Sequence, residues 1–471
     1  MKCGIDFGTR NTAISKGNLR LTDEDGATVP SYVAYSRNGL PRRIGRSAMQ
    51  LFGEAAVAPD WDVWRSFKLD LPRSDGSPGC PVIRATADFL HDVLRLPSAG
   101  DSVVSDAVMA IPVAWPPAAR RALRSAASAA GIRLQGFVSE STAAFARHRD
   151  DFGAVEEVAV FDWGAGTLDV SVLRLRGGGH GTRTIEELHC ACSDRAGDFI
   201  DLLLAEHIHR RFAAMDKYVC PWSEVEPADR DRLCKQVELA KIAVSDERVS
   251  EVPISIARYC GKPRSTTIGG DEFEAVVAPV LQDVVETLEG ALARAGTSAS
   301  KVDALLVVGG CSKVRGLARR LRDRFGGRVA ASRDSEWSVA EGAQRIAEAG
   351  DACYACVQQF CLILSDGLAL PLSGPEARFD GNPTMHVVGK VDESDVASLV
   401  IGERDRGSLG DPRVIGALAV RSQGLPGEPI EVESTLDPDL FLRVRARSML
   451  ALPSKDTAAF EYPSTRFEYR L

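Results

Sequence analysis

Through residues 1–350, short apolar runs alternate with stretches in which apolar side chains return every three or four positions. Runs 158–161, 168–175 and 304–308 are β-branched or apolar and bounded by glycine and aspartate, which predicts strands. Stretches 117–130, 199–212, 230–244, 271–295 and 314–325 carry the recurrence of helices. Strands alternating with helices predict an α/β architecture. Beyond about residue 350 the helical recurrence fades. Runs 385–391, 397–402, 414–420, 430–434 and 440–447 alternate apolar and polar positions, with Gly, Pro and Asp between them. That pattern predicts short antiparallel strands in a sandwich. The expected division is an α/β domain over residues 1–350 and an all-β domain over 351–471, joined near 348–356.

Composition narrows the classes. A hydrophobic content of 45% with 26% charged residues is that of a soluble globular chain and excludes a disordered or fibrous one. The net charge of −8 argues against nucleic acid as a partner, because counterion release needs a basic footprint. Eleven unevenly spread cysteines suggest free thiols in a reducing compartment. No leader-like segment opens the chain, and its apolar runs are strand-sized. The expectation is a cytoplasmic protein that does not engage a membrane.

One internal echo carries the chemistry. Gly4-Ile5-Asp6-Phe7-Gly8-Thr9-Arg10-Asn11-Thr12-Ala13-Ile14 reads as strand, glycine turn and strand, and Val160-Phe161-Asp162-Trp163-Gly164-Ala165-Gly166-Thr167-Leu168-Asp169-Val170 has the same shape. Each places an Asp at a strand end, then glycine, then threonine. Two such hairpins suggest two related halves facing each other across a cleft. Glycines let backbone N–H groups approach phosphate closely, threonines add donors, and the aspartates suit a magnesium ion held through water. The plain alternative for each is a tight turn between strands. A third segment, Leu305-Leu306-Val307-Val308-Gly309-Gly310-Cys311-Ser312-Lys313-Val314, is a strand followed by bare backbone on which a flat base could lie, or else an ordinary strand-to-helix turn.

These segments resemble, in order, the nucleotide-binding domain of the seventy-kilodalton heat-shock (DnaK-type) chaperone family of the actin-like ATPase superfamily. Ser139-Glu140-Ser141-Thr142-Ala143-Ala144 resembles the family's Asn-Glu-Pro-Thr-Ala-Ala, and residues 107–115 its Val-Pro-Ala-Tyr-Phe strand and turn. Residues 197–201 resemble its Gly-Gly-Glu-Asp-Phe-Asp region. Glu238-Leu239-Ala240-Lys241-Ile242-Ala243-Val244-Ser245 resembles its adenosine helix, and residues 338–343 its closing helix. The resemblance covers residues 1 to about 347 and implies two RNase H-like halves. It extends weakly to Ile401-Gly402-Glu403-Arg404-Asp405-Arg406 and to residues 430–444, similar to the family's peptide-holding β-sandwich but without its glycine. The family's helical lid is expected to be absent.

The resemblance implies ATP or ADP with Mg²⁺ as cofactors, with Asp6 and Asp162 holding the metal through water. Gly8, Thr9, Arg10 and Asn11 would flank the phosphates on one side, and Gly164, Ala165, Gly166 and Thr167 on the other. Lys68 would position the attacking water, where a cation also offsets charge on the transferred phosphoryl group; otherwise it is a surface lysine. Glu140, Asp162 and Thr167 complete the catalytic set, with an exposed or helix-capping role the alternative for Glu140. Gly197, Glu238, Lys241 and Ser245 would meet the ribose and adenine, unless the last three form a solvated helix face. Gly309, Gly310 and Lys313 would hold the base.

Departures from the family matter too. Arg10 replaces a small hydroxyl residue, Ala165 a glycine (an alanine is tolerable there only at negative φ), Ser141 a signalling proline, and Lys313 an arginine that stacks better. Residues 351–361 lack the family's acidic, leucine-rich linker. These favour ATP binding over fast hydrolysis. The implied partners are an unfolded peptide or a dedicated protein client, with a J-domain co-chaperone as candidate. The expected function is an ATP-binding, slowly hydrolysing chaperone-like protein whose nucleotide state controls its β-domain. The alternatives are a scaffold for one partner with little turnover, and a filament former or sugar kinase of the superfamily. The pair Cys353 and Cys356 lacks further metal ligands, the alternating 189–192 run suits strand packing, and the basic helix near 313–328 suits a solvated face.

Overall fold

The computed structural model describes residues 2–52, 60–73, 79–99, 106–112, 115–152, 155–177, 183–332, 334–349, 354–374, 378–379, 381–405, 408, 410–450, 457–463 and 467–470. Cys353 of the cysteine pair lies outside them. Nine α-helices occur among the described residues: α1 Gly45–Met49, α2 Pro81–Val93, α3 Pro117–Ala129, α4 Glu140–His148, α5 Gly197–Met215, α6 Pro227–Ser245, α7 Gly270–Arg294, α8 Leu317–Phe325 and α9 Ser335–Ala349.

Two mixed sheets repeat one pattern. In the first, strand Lys2–Phe7 pairs antiparallel with Asn11–Lys16 and parallel with Asp106–Ile111, which runs parallel to Arg133–Ser139. In the second, Glu157–Trp163 pairs antiparallel with Leu168–Gly177 and parallel with Ala304–Val308, which runs parallel to Val329–Ala331. Each hairpin continues into a third antiparallel strand, Leu19–Leu21 or Arg183–Ser193. The internal echo read from the sequence is therefore a repeat of sheet topology as well as of wording.

Helices α4 and α9 cross tightly against the first sheet. A Cβ on Gly342 would sit 1.7 Å from the Ala143 carbonyl oxygen, and one on Gly4 2.0 Å from that of Ala340. Only glycine permits these approaches. Ser139 caps α4 by accepting a hydrogen bond from the Thr142 amide at 3.3 Å. Opposite, α5, α6, α7 and the hairpin Glu251–Tyr259/Lys262–Gly269 bury a separate apolar cluster with the second sheet.

The expected start of the helix at 314 is a misplacement. Residues Gly310–Lys313 form a 3₁₀ turn, Gly316 adopts φ +86°, and α8 begins only at Leu317. Its Arg319 and Arg324 pair with Glu274 and Glu289 of α7.

The later strands form two four-stranded antiparallel sheets. One runs Ala369–Pro371, Gln358–Ile363, Val396–Asp405, Arg413–Arg421; the other Pro383–Gly389, Pro429–Asp437, Phe441–Ser448, Ala458–Pro463. At the turn before Phe441–Ser448, Leu440 takes φ +65°, a left-handed backbone that costs about 1–2 kcal/mol for a residue with a Cβ. The same turn packs on α3. Buried Arg120 donates from Nη1 to the Asp439 and Leu440 carbonyls at 3.1 and 3.3 Å and lies over the Phe441 ring, while Arg124 pairs with the Asp439 carboxylate. Strand Phe467–Arg470 then returns to the second sheet, inserted antiparallel between Arg183–Ser193 and Tyr354–Cys356.

Candidate functional site

The two hairpin turns meet. A Cβ on Gly166 would fall 2.5 Å from Thr9 Oγ1 and 3.2 Å from Leu69 Cδ2, and one on Gly309 would fall 2.5 Å from the Trp163 carbonyl oxygen and 2.6 Å from Asp162 Oδ1. Between them opens a cavity of about 350 Å³. Asp6, Gly8, Thr9, Arg10 and Asn11 line it from the first hairpin; Asp162, Gly164, Ala165, Gly166 and Thr167 line it from the second. Lys68, Glu140, Glu238, Lys241, Ser245, Gly309, Gly310 and Lys313 complete the wall. Gly197 stands behind it: its carbonyl accepts from Lys241 Nζ at 3.2 Å, and a Cβ there would meet Cys311 Sγ at 2.8 Å. It shapes the wall without lining the cavity.

Ala165 satisfies the negative-φ condition, since the only non-glycine residues with positive φ among those described are Ser66, Cys260 and Leu440. Lys68 is not a surface lysine. It sits in the 3₁₀ segment Phe67–Arg73, 5% exposed, with Nζ 2.5 Å from Glu140 Oε1 and 5.6 Å from the Trp115 ring centroid. Glu140 is itself buried at the first position of α4, so it neither caps the helix nor faces solvent.

The electrostatics of this floor are one-sided. Asp6, Glu140 and Asp162 share it with the single ammonium of Lys68, and Asp169 stands directly across the second hairpin from Asp162. Burial first and Glu140 second push the Asp6 carboxyl up to about 7, although part of its surface opens on the cavity; Lys68 pulls the other way. Asp162 is raised well above the carboxylate range by burial, then by Glu140, Asp6 and Asp169. Burial opposes the charge of Lys68, yet Glu140 and Asp6 raise its pKa overall. A divalent cation fits such an excess of buried carboxylate. No group of three His, Cys, Asp or Glu side chains able to hold a metal ion directly occurs among the described residues.

At the other end α5 and α6 supply the wall. Lys241 Nζ is 2.8 Å from Asp201, Glu238 reaches Arg10, and Ser245 Oγ donates to the Lys241 carbonyl of its own helix. Lys313 is exposed at the rim, 3.7 Å from Glu336. Four participants escaped the sequence reading. Asp169 was detectable by counting register across the second hairpin. Asp198 and Asp201 become visible only when Arg10 is placed against them. Ser335, whose buried hydroxyl lines the cavity without a hydrogen-bond partner among the described residues, left no signal at all.

The repeated hairpin-and-parallel-strand sheets make this a mixed α/β protein with one cavity lined by both hairpin turns. The Hsp70 protein family model matches residues 92–370, more than half of the chain, and the chain belongs to that family. It is 28% identical over 376 residues to the chaperone protein DnaK of Deinococcus deserti, covering 72% of this chain and 58% of that protein. It is 27% identical over 372 residues to the HscA homolog of Bordetella petrii, with 72% and 56% covered, and equally to HscA of Photorhabdus laumondii over 370 residues. The matched region spans less than three-fifths of each relative's length. No helix among the described residues is long and apolar enough to cross a membrane.

Proposed function

We propose that this chain is an ATP-binding, slowly hydrolysing chaperone-like protein, with an actin-like two-lobed domain over residues 1–350 and a client-holding β-sandwich over 351–471. The observation that carries this reading is the convergence of two Asp-containing hairpins, through Gly166 and Thr9, on one cavity. The names of the DnaK and HscA relatives support the chaperone class. Asp6 and Asp162, with Asp169 behind, would hold Mg²⁺ through water; when bound it neutralises phosphate charge. Lys68, held by Glu140, orients the attacking water and keeps positive charge beside the transferred group, and Thr167 donates a hydroxyl from the facing turn. Glu238, Lys241 and Ser245 face the ribose and base. Closure of the lobes would pass to the sandwich through the α3 contacts of Arg120 and Arg124. An unfolded peptide or dedicated client, delivered by a J-domain co-chaperone, is the partner this reading implies.

A second reading, a nucleotide-gated scaffold with little turnover, is favoured by how closely Lys68 is locked onto Glu140. The two part in single-turnover hydrolysis of bound ATP with Lys68→Ala as control. Turnover that disappears in the variant supports the first reading; equal, negligible turnover in both supports the second. Calorimetric titration with ATP and ADP, with and without Mg²⁺, tests the site common to both, and absence of any binding would reject both.

A further inference from the structure

Arg10 sits at the turn of the first hairpin, but its side chain crosses the cavity. Nε and Nη2 both lie 2.8 Å from Asp198 Oδ1, and Nη2 lies 3.8 Å from Asp201 Oδ2. One edge of the guanidinium is thereby fixed by the N-terminal turns of α5. Among the described residues the remaining nitrogen, Nη1, has only loose company: the Tyr32 hydroxyl and Glu238 Oε2, each at 3.5 Å. Arg10 is 15% exposed and lines the cavity together with both hairpin turns. The other buried cations of this cavity are already closed onto near partners, Lys68 on Glu140 at 2.5 Å and Lys241 on Asp201 at 2.8 Å. Burial works against the charge of Arg10, but Asp198, Glu238, Tyr32 and Asp201 more than restore it, so it remains a cation.

A planar guanidinium held along one edge presents its other N–H groups in a fixed direction. We infer that Arg10 reads the polyphosphate: Nη1 exchanges its two long contacts for a phosphate oxygen, and Asp198 acts as the positioning residue that aims it. The inference rests on the reading of the cavity as an adenine-nucleotide site and deepens it. Arg10 makes the site selective for the diphosphate and triphosphate over adenosine, by a charge added at the very position where the family carries a small hydroxyl residue.

Calorimetry on the full chain tests this with adenosine, ADP and ATP as probes. A hydrogen bond between charged groups is worth enough that Arg10→Ala should weaken ADP and ATP by about 10- to 100-fold while leaving adenosine affinity unchanged. Arg10→Lys should recover only part of the loss, since an ammonium cannot grip Asp198 along one edge and donate from another. Asp198→Asn, which keeps the guanidinium but loosens its anchor, should weaken ADP and ATP less than Arg10→Ala does and again spare adenosine. Unchanged or tighter ADP and ATP binding by Arg10→Ala overturns the inference, and tighter binding would make Arg10 a tether that nucleotide must displace. An equal loss for adenosine also overturns it, by showing a general collapse of the pocket. Failure of the unsubstituted chain to bind any adenine ligand rejects the nucleotide reading itself, and the inference with it.

Discussion

The two hairpins share a backbone plan and divide the charge between them. In the first, Asp6 faces Ala13 across the ladder and the turn carries Arg10; in the second, Asp162 faces Asp169 and the turn is neutral. Duplicated topology has thus produced one cationic wall and one acidic wall. The acidic side, reinforced by Glu140, suits a metal ion, and the cationic side suits phosphate. Both aspartates are raised, by burial first and Glu140 second, and Asp169 adds to the rise at Asp162 only.

The harshest way to break the comparison is at Gly309, where the third loop leans on the second hairpin. Gly309 takes φ +83°, and an alanine there would drive its Cβ into the Trp163 carbonyl and Asp162. Gly309→Ala should cost more than about 3 kcal/mol in urea unfolding and abolish nucleotide binding. Gly310→Ala, which meets nothing within 4 Å, should leave stability unchanged. Equal effects at the two glycines would mean that the contact with the acidic turn does not organise the site.

A smaller effect is expected from removing the Lys68 ammonium from the acidic floor. Lys68→Met leaves Glu140, Asp162 and Asp169 buried without it and should cost about 2–3 kcal/mol when divalent ions are absent. Adding Glu140→Gln to that variant should return part of the loss, and Mg²⁺ should narrow the gap. A loss under about 1 kcal/mol, insensitive to Mg²⁺, would show that these carboxyls stay protonated and that the acidic wall is not a charged one.

Much of this was legible because it is local. Strand Ala304–Val308 agrees with its apolar run, and helix Pro117–Ala129 differs from the expected span by one residue. Both hairpins could be read because an Asp, its glycines and its threonine are consecutive. Three of the sandwich strands run longer than their runs, and Pro429–Asp437 continues three residues past the clean alternation; the other two, Pro383–Gly389 and Phe441–Ser448, keep the expected length and are shifted by two residues and one. What stayed hidden is non-local. Arg10 meets Asp198 across 188 residues of sequence, and strand Phe467–Arg470 is recognisable only by its two remote partners. Strand Glu251–Tyr259 alternates buried and exposed positions, but its partner Lys262–Gly269 is largely polar, so the hairpin has no counterpart among the expected elements.

The finest test concerns how the second half answers the charge of Arg10. Asp198 and Glu238 are partly exposed where they meet the guanidinium, whereas Asp201 lies deeper, 2% exposed, with Lys241 and Glu238 of α6, Arg10 and the Cys311 thiol around it. Burial raises its carboxyl to about 6, against the pull of Lys241 and Arg10. Unfolded, the same group ionises near 3.8. Between those values the folded chain keeps a proton that the unfolded chain has lost, so this group's contribution to stability is full below the lower value and fades as pH rises through the upper one. Unfolding measured from about pH 4 to 7 should therefore show the unsubstituted chain losing up to about 3 kcal/mol relative to Asp201→Asn as pH rises. If the two profiles run parallel, Asp201 is ionised throughout. Arg10 is then balanced by three carboxylates rather than two, and the cationic wall is weaker than the comparison of the hairpins makes it.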